Sequence, residues 1–541
     1  MTAWNFATLW EIAADATPDH PAMVQGDRTV LWRDFDRRAD GVARLLLDRG
    51  AQAQDKVAQY LYNAPEYLES VFASFKAGLV PVNTNYRYAE DELVYLWDNA
   101  DAVAVVFHAS FTERIDGIRH RLPKVTTWLW VDDDGSPCPD WAIPYETAAA
   151  TETGRVEPAW GRGDDDLLLM YTGGTTGMPK GVMWRQDSLV KAVVSSANGL
   201  FRGPADYDAA RALVAENGPA TPLLPAPPLM HGTGQFTTFI TLSTAGTVVL
   251  LSKRNYDPVE LLDEVEARKV ASLIIVGDAF AKPLANALDA EPDRWDISSL
   301  FMVTSSGVMW SEPVKQRLLA HNPNMLLIDV FSSSEALGMG ASVSSGARSS
   351  GTAKFSLGEN ARVIGDDGKD VEPGSGRTGR VAVKGITPIG YYKDPEKSAA
   401  TFVLIDGETY SIPGDYAQVE ADGSLTLLGR GSVVINTGGE KVYPEEVEEI
   451  LKEHPTVADA VAVGVPDDKF GEAITAVVQA APDATLSPDE LIAWVKSRLA
   501  SFKAPKHVLP IDTIGRAPNG KVDYKRLRRY AADQLGVPLP T

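Results

Sequence analysis

The sequence predicts an α/β protein: a large N-terminal domain of two α/β sheet subdomains plus a small β unit, then a small α+β C-terminal domain. Three observations carry this. Strand-like apolar runs alternate with helical periodicity over residues 29–130 and again over 247–330, the pattern of parallel sheets joined by crossover helices. From about residue 361, Gly, Asp and Pro turns recur at short spacing between strands, which favours antiparallel pairing. The chain of 541 residues is too long for one core. A compact tail begins after Arg430, so the domains are set at 1–430 and 431–541.

In the first α/β stretch, Trp32 to Leu47 places apolar residues at helical spacing and Gly50 supplies a stop. Val57 to Leu61 reads as a buried strand, Tyr67 to Ala77 as a helix ending at Gly78, and Leu79 to Val82 as a strand. Glu90 to Asp98 is helical and Val103 to Phe107 a strand. The alternation resumes with the strand Thr247–Leu251, the helix Pro258–Arg268, the strand Leu273–Val276, a helix over Lys315–Leu319 and the strand Leu326–Val330. Arg380–Lys384 belongs to the antiparallel unit. The tail carries helices at Glu445–Glu453 and Pro488–Leu499 and a strand at Ala460–Val463.

Composition narrows function. Hydrophobic residues make up 44% of the chain, ordinary for a globular protein. The net charge of −22 opposes nonspecific nucleic-acid binding and attachment to anionic membranes. Cys138 is the only cysteine, which excludes an intrachain disulfide and a thiolate metal cluster. It lies in an acidic, Pro-rich segment read as a loop. No apolar run reaches the roughly 20 residues of a membrane span, and no charged leader with an apolar core opens the chain. The expectation is a soluble cytoplasmic protein without stable membrane insertion.

The segment Tyr171-Thr-Gly-Gly-Thr-Thr-Gly-Met-Pro-Lys-Gly181 is the most informative. Gly173, Gly174 and Gly177 let backbone N–H groups approach an anion. Thr172, Thr175 and Thr176 add hydroxyl donors and Lys180 a point charge. Apolar runs at Leu167–Met170 and Val182–Trp184 make it a strand-to-strand loop. A P-loop needs Gly-Lys followed by Ser or Thr at a helix start. Here Lys180 lies between Pro179 and Gly181, and Pro179 lacks a donor where that helix would begin.

This spelling resembles the phosphate loop of adenylate-forming enzymes, the superfamily of acyl-CoA synthetases, luciferases and peptide-synthetase adenylation domains, with Gly173 in place of the usual Ser. Further motifs follow in the family's order. Pro228-Leu-Met-His-Gly232 resembles the acyl-pocket segment, with His231 beside the carboxylate. Ser306-Gly-Val308 resembles the turn that cups adenine. Asp329-Val-Phe-Ser-Ser-Ser-Glu335 resembles the segment that stacks an aromatic on adenine and ends in a magnesium ligand. The usual Tyr-Gly-x-Thr-Glu is here Phe331, Ser332, Ser333, Ser334 and Glu335, so a base-stacking ring and a hydroxyl are kept while the glycine is lost. Tyr410-Ser-Ile-Pro-Gly-Asp415 and Gly429-Arg430 resemble the ribose-binding motifs.

Gly431 to Glu445 resembles the hinge and second-step loop, with Ser432 and Val433 where relatives carry charged residues and with Gly438, Gly439 and Lys441 in the loop. Phe502–Lys506 and Arg516–Lys521 resemble the last motifs, and Lys521 corresponds to the adenylation lysine. The resemblance implies ATP, Mg²⁺ and coenzyme A as cofactors and a mobile C-terminal domain. It implies catalytic roles for Lys521, Thr176, Glu335 and His231. The implied reaction joins a carboxylate to AMP and then to CoA.

The small, uncharged Gly232-Thr-Gly-Gln-Phe236 suits an apolar acid. The spellings Gly181-Val-Met-Trp-Arg185 and Gly277-Asp-Ala-Phe-Ala281 resemble bacterial synthetases for fatty acids or sterol side chains. The expected partners are a small carboxylic acid, ATP and CoA, with a homodimer as one assembly open to the chain. Two alternatives stay open: one half-reaction or transfer to a carrier protein, and a noncatalytic nucleotide-binding regulator.

Overall fold

The computed structural model describes residues 3–172, 178–195, 204–308, 310–346, 354–437, 440–467, 470–517 and 520–539. Two sheets form the body of the large domain. In one, the strands Lys56–Tyr60, Val80–Asn83, Ala102–His108 and Thr127–Val131 run parallel. In the other, Val248–Leu250, Leu223–Pro225, Ser272–Ile275, Met302–Ser306 and Leu326–Phe331 run parallel in that order. They correspond to the two predicted alternating stretches, with Leu223–Pro225 and Met302–Ser306 added as strands that the sequence reading did not name. Strands such as Val80–Asn83 and Ala102–His108 are buried on both faces and read as apolar runs, whereas Met302–Ser306 alternates buried with half-buried residues.

Helix boundaries follow local chemistry. Pro258–Arg268 starts where the Asp257 carboxylate accepts from the Val259 and Glu260 N–H groups, has Pro at its first position, and ends at Lys269 with φ +49°. The predicted helix from Tyr67 begins earlier, at Pro65, and ends with Lys76. That at Lys315–Leu319 extends over Glu312–His321. Phe6–Ala16, capped by Asn5, lays Phe6 and Trp10 into an aromatic cluster with Phe35, Phe72, Phe75 and Phe239 between the sheets.

The small β unit is antiparallel, as its turns predict, and its hydrogen bonds continue the second sheet through Gly340–Ser344, Lys354–Leu357 and Ser424–Arg430. The C-terminal domain is built on the hairpin of Val457–Asp467 with Gly471–Ala480, joined by His507–Pro510. Alternate residues divide its faces. Ala460, Ala462 and Ile474 pack towards the helices Pro444–Lys452 and Pro488–Lys496, while Val461, Val463 and Val465 pack towards Tyr524–Leu535. Burial on both faces accounts for the length of the first strand, of which the sequence shows only Ala460–Val463. Cys138 is half-buried outside any strand or helix. Among the described residues, no helix is long and apolar enough to cross a membrane.

Candidate active site

Leu167–Thr172 and Lys180–Arg185 pair antiparallel, with Thr172 opposite Lys180. The two strands expected to flank the loop are therefore paired with each other. Gly173, Gly174, Thr175, Thr176 and Gly177 lie outside the described residues, as do Gly438, Gly439 and the side chains of Arg430, Ser432 and Lys441.

Asn83 ties the first of these strands to the segment ending at His231. It donates to the carbonyls of Tyr171 (2.9 Å) and Met230 (2.6 Å) and accepts from the Tyr171 N–H (2.6 Å). His231 precedes the helix Gly232–Leu242. This turn meets two other expected motifs. A methyl group placed on Gly232 would lie 3.7 Å from Ser334 Oγ, and one on Gly307 would lie 3.9 Å from Thr233 Oγ1. Gly307 follows the strand Met302–Ser306 at φ +96°, where glycine avoids strain.

The smaller domain packs on the larger one beside these motifs. Gly520, at φ +72°, presses on Val276, Val308 and Ala279, whose carbon atoms would stand 3.2 to 3.3 Å from an added Cβ. Arg516 holds this turn. It donates to Gly520 O at 3.0 Å and forms a two-bond pair with Asp459 at 2.6 and 2.8 Å. Lys521 is thereby brought up to His231. Burial first, and the Lys521 charge second, push the His231 pKa down to about 3, so this imidazole is neutral at physiological pH.

Glu335 is buried. Its Oε1 accepts from the Tyr391 hydroxyl at 2.9 Å, Ser411 Oγ donates to its carbonyl at 2.6 Å, and Trp184 Nε1 donates to Ser334 O at 2.9 Å. Among the described residues no group of three His, Cys, Asp or Glu forms a metal cage. A lone carboxylate suits Mg²⁺ when substrate phosphates and water complete its octahedron, and Glu335 fits that requirement. Lys180 Nζ pairs with Asp394 at 3.1 Å and lies 5.7 Å from the centre of the Tyr391 ring.

Asp415 is buried and stands directly opposite Arg430 on adjacent strands. Ser332 Oγ accepts from Gly338 N–H at 3.1 Å and so shapes the turn. Phe331 is buried in the small β unit, with its ring centre 5.5 Å from that of Phe355. Sequence reasoning did not find Asn83, Trp184, Tyr391, Ser411 or Glu445. The first four act through partners distant in the chain. Glu445 was read as the end of the hinge-like segment and a helix start, with no site role, yet its carboxyl faces Gly429. Burial, Glu448 and Asp415 raise its pKa to about 8.

A two-domain α/β enzyme is defined here, in which the smaller domain sets Lys521 near His231 of the larger one. The pattern of the family described as "AMP-binding enzyme" matches residues 10–392, and that of the "AMP-binding enzyme C-terminal domain" matches 446–521. The chain belongs to this family, as an adenylate-forming acyl-CoA synthetase.

It is 42% identical over 537 residues to a medium/long-chain-fatty-acid and 3-oxocholest-4-en-26-oate CoA ligase of Mycobacterium tuberculosis, covering 98% of this chain and 96% of that one. It is 38% identical over 542 residues to a 3-oxocholest-4-en-26-oate CoA ligase of Rhodococcus rhodochrous, covering 99% and 96%. The fold matches a crystal structure of an anthranilate CoA ligase with anthranoyl-AMP at a TM-score of 0.84, 20% identity and 99% coverage of both chains.

Proposed function

We propose that this synthetase activates a fatty acid or a bulky acid of the sterol side-chain type. One observation carries the reading. From Asn217 to Ser252, a stretch that contains His231 and the helix after it, there is no Asp, Glu, Lys or Arg. An amino-acid substrate would need a fixed counter-charge for its ammonium group, whereas an apolar tail needs none. The names of the relatives from Mycobacterium tuberculosis and Rhodococcus rhodochrous support the same substrate class. The test is CoA-thioester formation across medium- and long-chain fatty acids, 3-oxocholest-4-en-26-oate, an aromatic acid and polar amino acids. The apolar acids are expected to give the highest kcat/KM, and preference for a polar amino acid would contradict the assignment.

In this reading the acid and ATP form acyl-AMP and pyrophosphate, and the CoA thiol then displaces AMP. Thr172, the 173–177 turn and Lys180 hold the phosphates. Ser306 to Val308, Phe331, Ser332 and Ser334 frame the adenine end, while Asp415 and Arg430 hold the ribose. Neutral His231 flanks the carboxylate without adding positive charge, and Lys521 bridges carboxylate and α-phosphate, where negative charge collects. Glu335 would hold Mg²⁺, which supplies charge neutralisation on the phosphates. The C-terminal domain then turns about the segment after Arg430, withdraws Lys521 and brings in Gly438, Gly439 and Lys441.

Two outcomes test the docked arrangement. Gly520→Val places a β-branched side chain at positive φ against Val276, Val308 and Ala279. Adenylation is expected to fall about 10²-fold through misplacement of Lys521, with thioester formation from supplied acyl-AMP retained. Unchanged adenylation would show that the contact is unimportant.

The second outcome concerns pH. Turning away from Gly429 would expose Glu445, whose ordinary pKa is 4.5. The docked state favours its protonated form, so docking is strongest below pH 4.5 and weakens as pH rises to about 8, by at most about tenfold per pH unit. The charges around it are Glu448 and Lys452 on its own helix, Asp415 opposite, and Tyr524 from the C-terminal helix. The ratio of adenylation to thioesterification should therefore fall over that interval, and Glu445→Gln should flatten it. An unaltered profile in the variant would remove Glu445 from the switch.

A further inference from the structure

The structure ties together two elements that lie far apart in the chain, the strand leaving the phosphate turn and the segment carrying Glu335. The tie is Tyr391. It lies on the two-residue strand Gly390–Tyr391, which pairs with Met183 and Val182. Flanking hydrogen bonds extend the pairing, from Ile389 N–H to Met183 O at 3.0 Å and from Tyr392 N–H to Gly181 O at 2.8 Å. The Tyr391 N–H also donates to Ser398 Oγ at 2.8 Å. A backbone held from both sides leaves the ring little freedom.

That ring is buried and lies beneath the Lys180 ammonium. Its hydroxyl donates to Glu335 Oε1 at 2.9 Å across 56 residues of sequence. Hydrogen bonds from Ser411 and Trp184 fix the backbone at Glu335 and Ser334, but neither touches the carboxylate. Among the described residues, Tyr391 supplies the hydrogen bond that orients it.

We propose that Tyr391 is a positioning residue for the metal-bearing carboxylate. It sets the plane of Glu335 relative to the strand that carries Lys180, so that the metal position and the phosphate turn keep one registry. The proposal rests on the reading of Glu335 as the Mg²⁺ ligand. A group that hydrogen-bonds a metal-binding carboxylate controls metal affinity, and its loss typically costs 10- to 100-fold. The ring itself serves Lys180, so removing the hydroxyl alone separates the two contacts.

The experiment compares Tyr391→Phe, Glu335→Gln and the double variant, with Mn²⁺ as probe. Mn²⁺ binding in the presence of ATP is read by electron paramagnetic resonance, alongside thermal midpoints and steady-state kinetics. Tyr391→Phe is expected to weaken Mn²⁺ binding about tenfold. It should raise the Mg²⁺ concentration needed for half-maximal adenylation, leave KM for the acid unchanged, and recover its rate at saturating Mg²⁺.

The double variant should be no worse than Glu335→Gln alone, because both changes act on one carboxylate. Weakened binding in Glu335→Gln with normal binding in Tyr391→Phe would overturn the role of Tyr391 and leave Glu335 in place. Normal binding in both would overturn the metal assignment of Glu335 and Tyr391's role with it. If Tyr391→Phe lowers the thermal midpoint, the double variant still decides: independent, multiplying losses would assign Tyr391 to structure alone.

Discussion

Lys521→Ala is expected to lower adenylation about 10²- to 10³-fold, the scale of one preorganised electrostatic stabiliser, while thioester formation from synthetic acyl-AMP continues at close to its normal rate. The physical basis is the turn that seats Gly520 on Val276, Val308 and Ala279, with Arg516 bracing it. The Lys521 charge helps push the His231 pKa down to about 3, which sets the ammonium near His231, the residue proposed to flank the carboxylate. Only the first step gathers charge from a carboxylate and a phosphate at that point. Pyrophosphate exchange reports it, and thioester yield from acyl-AMP reports the second step. Equal loss in both assays would mean that one arrangement of the domains serves both steps.

Lys76→Met is expected to destabilise the large domain by about 3–5 kcal/mol, the range for removing one partner of a buried charge cluster. Lys76 is fully buried at the end of the helix Pro65–Lys76 and lies 3.1 Å from Glu11, 2.6 Å from Asp36 and 2.9 Å from Asp40. Methionine fills the space but leaves three carboxylates facing an apolar neighbour. Arg162 pairs with Glu11 through two hydrogen bonds of 2.8 Å, and Arg155 reaches Asp36 at 2.9 Å. These retain part of the neutralisation. Denaturant unfolding measures the loss, and KM for ATP should stay unchanged in the folded fraction. A loss below about 1 kcal/mol, typical of exposed pairs, would assign the charge balance to the two arginines.

Parallel strands such as Lys56–Tyr60 and Leu326–Phe331 were legible because burial leaves apolar runs, whereas Met302–Ser306, half polar with alternating burial, was not read. Helices with strong local signals were legible as well, such as Pro258–Arg268 with its Asp cap and Pro start. Tyr524–Leu535 was not read, since its face towards the sheet rests on few apolar residues, Leu527 and Ala531 among them, in a charged sequence. Lys76 reads as the polar end of an apolar helix, because its three carboxylate partners come from elsewhere in the fold.

In the candidate site, the motifs quoted from the sequence meet at Gly232, Ser334, Gly307 and Lys521, and the strands flanking residues 173–179 pair as expected. The bonds that orient these groups were not legible. Tyr391 reaches Glu335 through sheet pairing, and Asn83 joins Tyr171 to Met230 across two parts of the large domain. Such pairings depend on register and docking, which local composition does not encode.

The most direct test of the whole account is acid-dependent pyrophosphate release from ATP and Mg²⁺ with 3-oxocholest-4-en-26-oate and with fatty acids, first without CoA and then with it. Without CoA, a limited release accompanied by bound acyl-AMP is expected. With CoA, the release should become continuous and match thioester formed. Thioester formation with no pyrophosphate, or no acid-dependent release under either condition, would contradict a ligase that works through an acyl-adenylate.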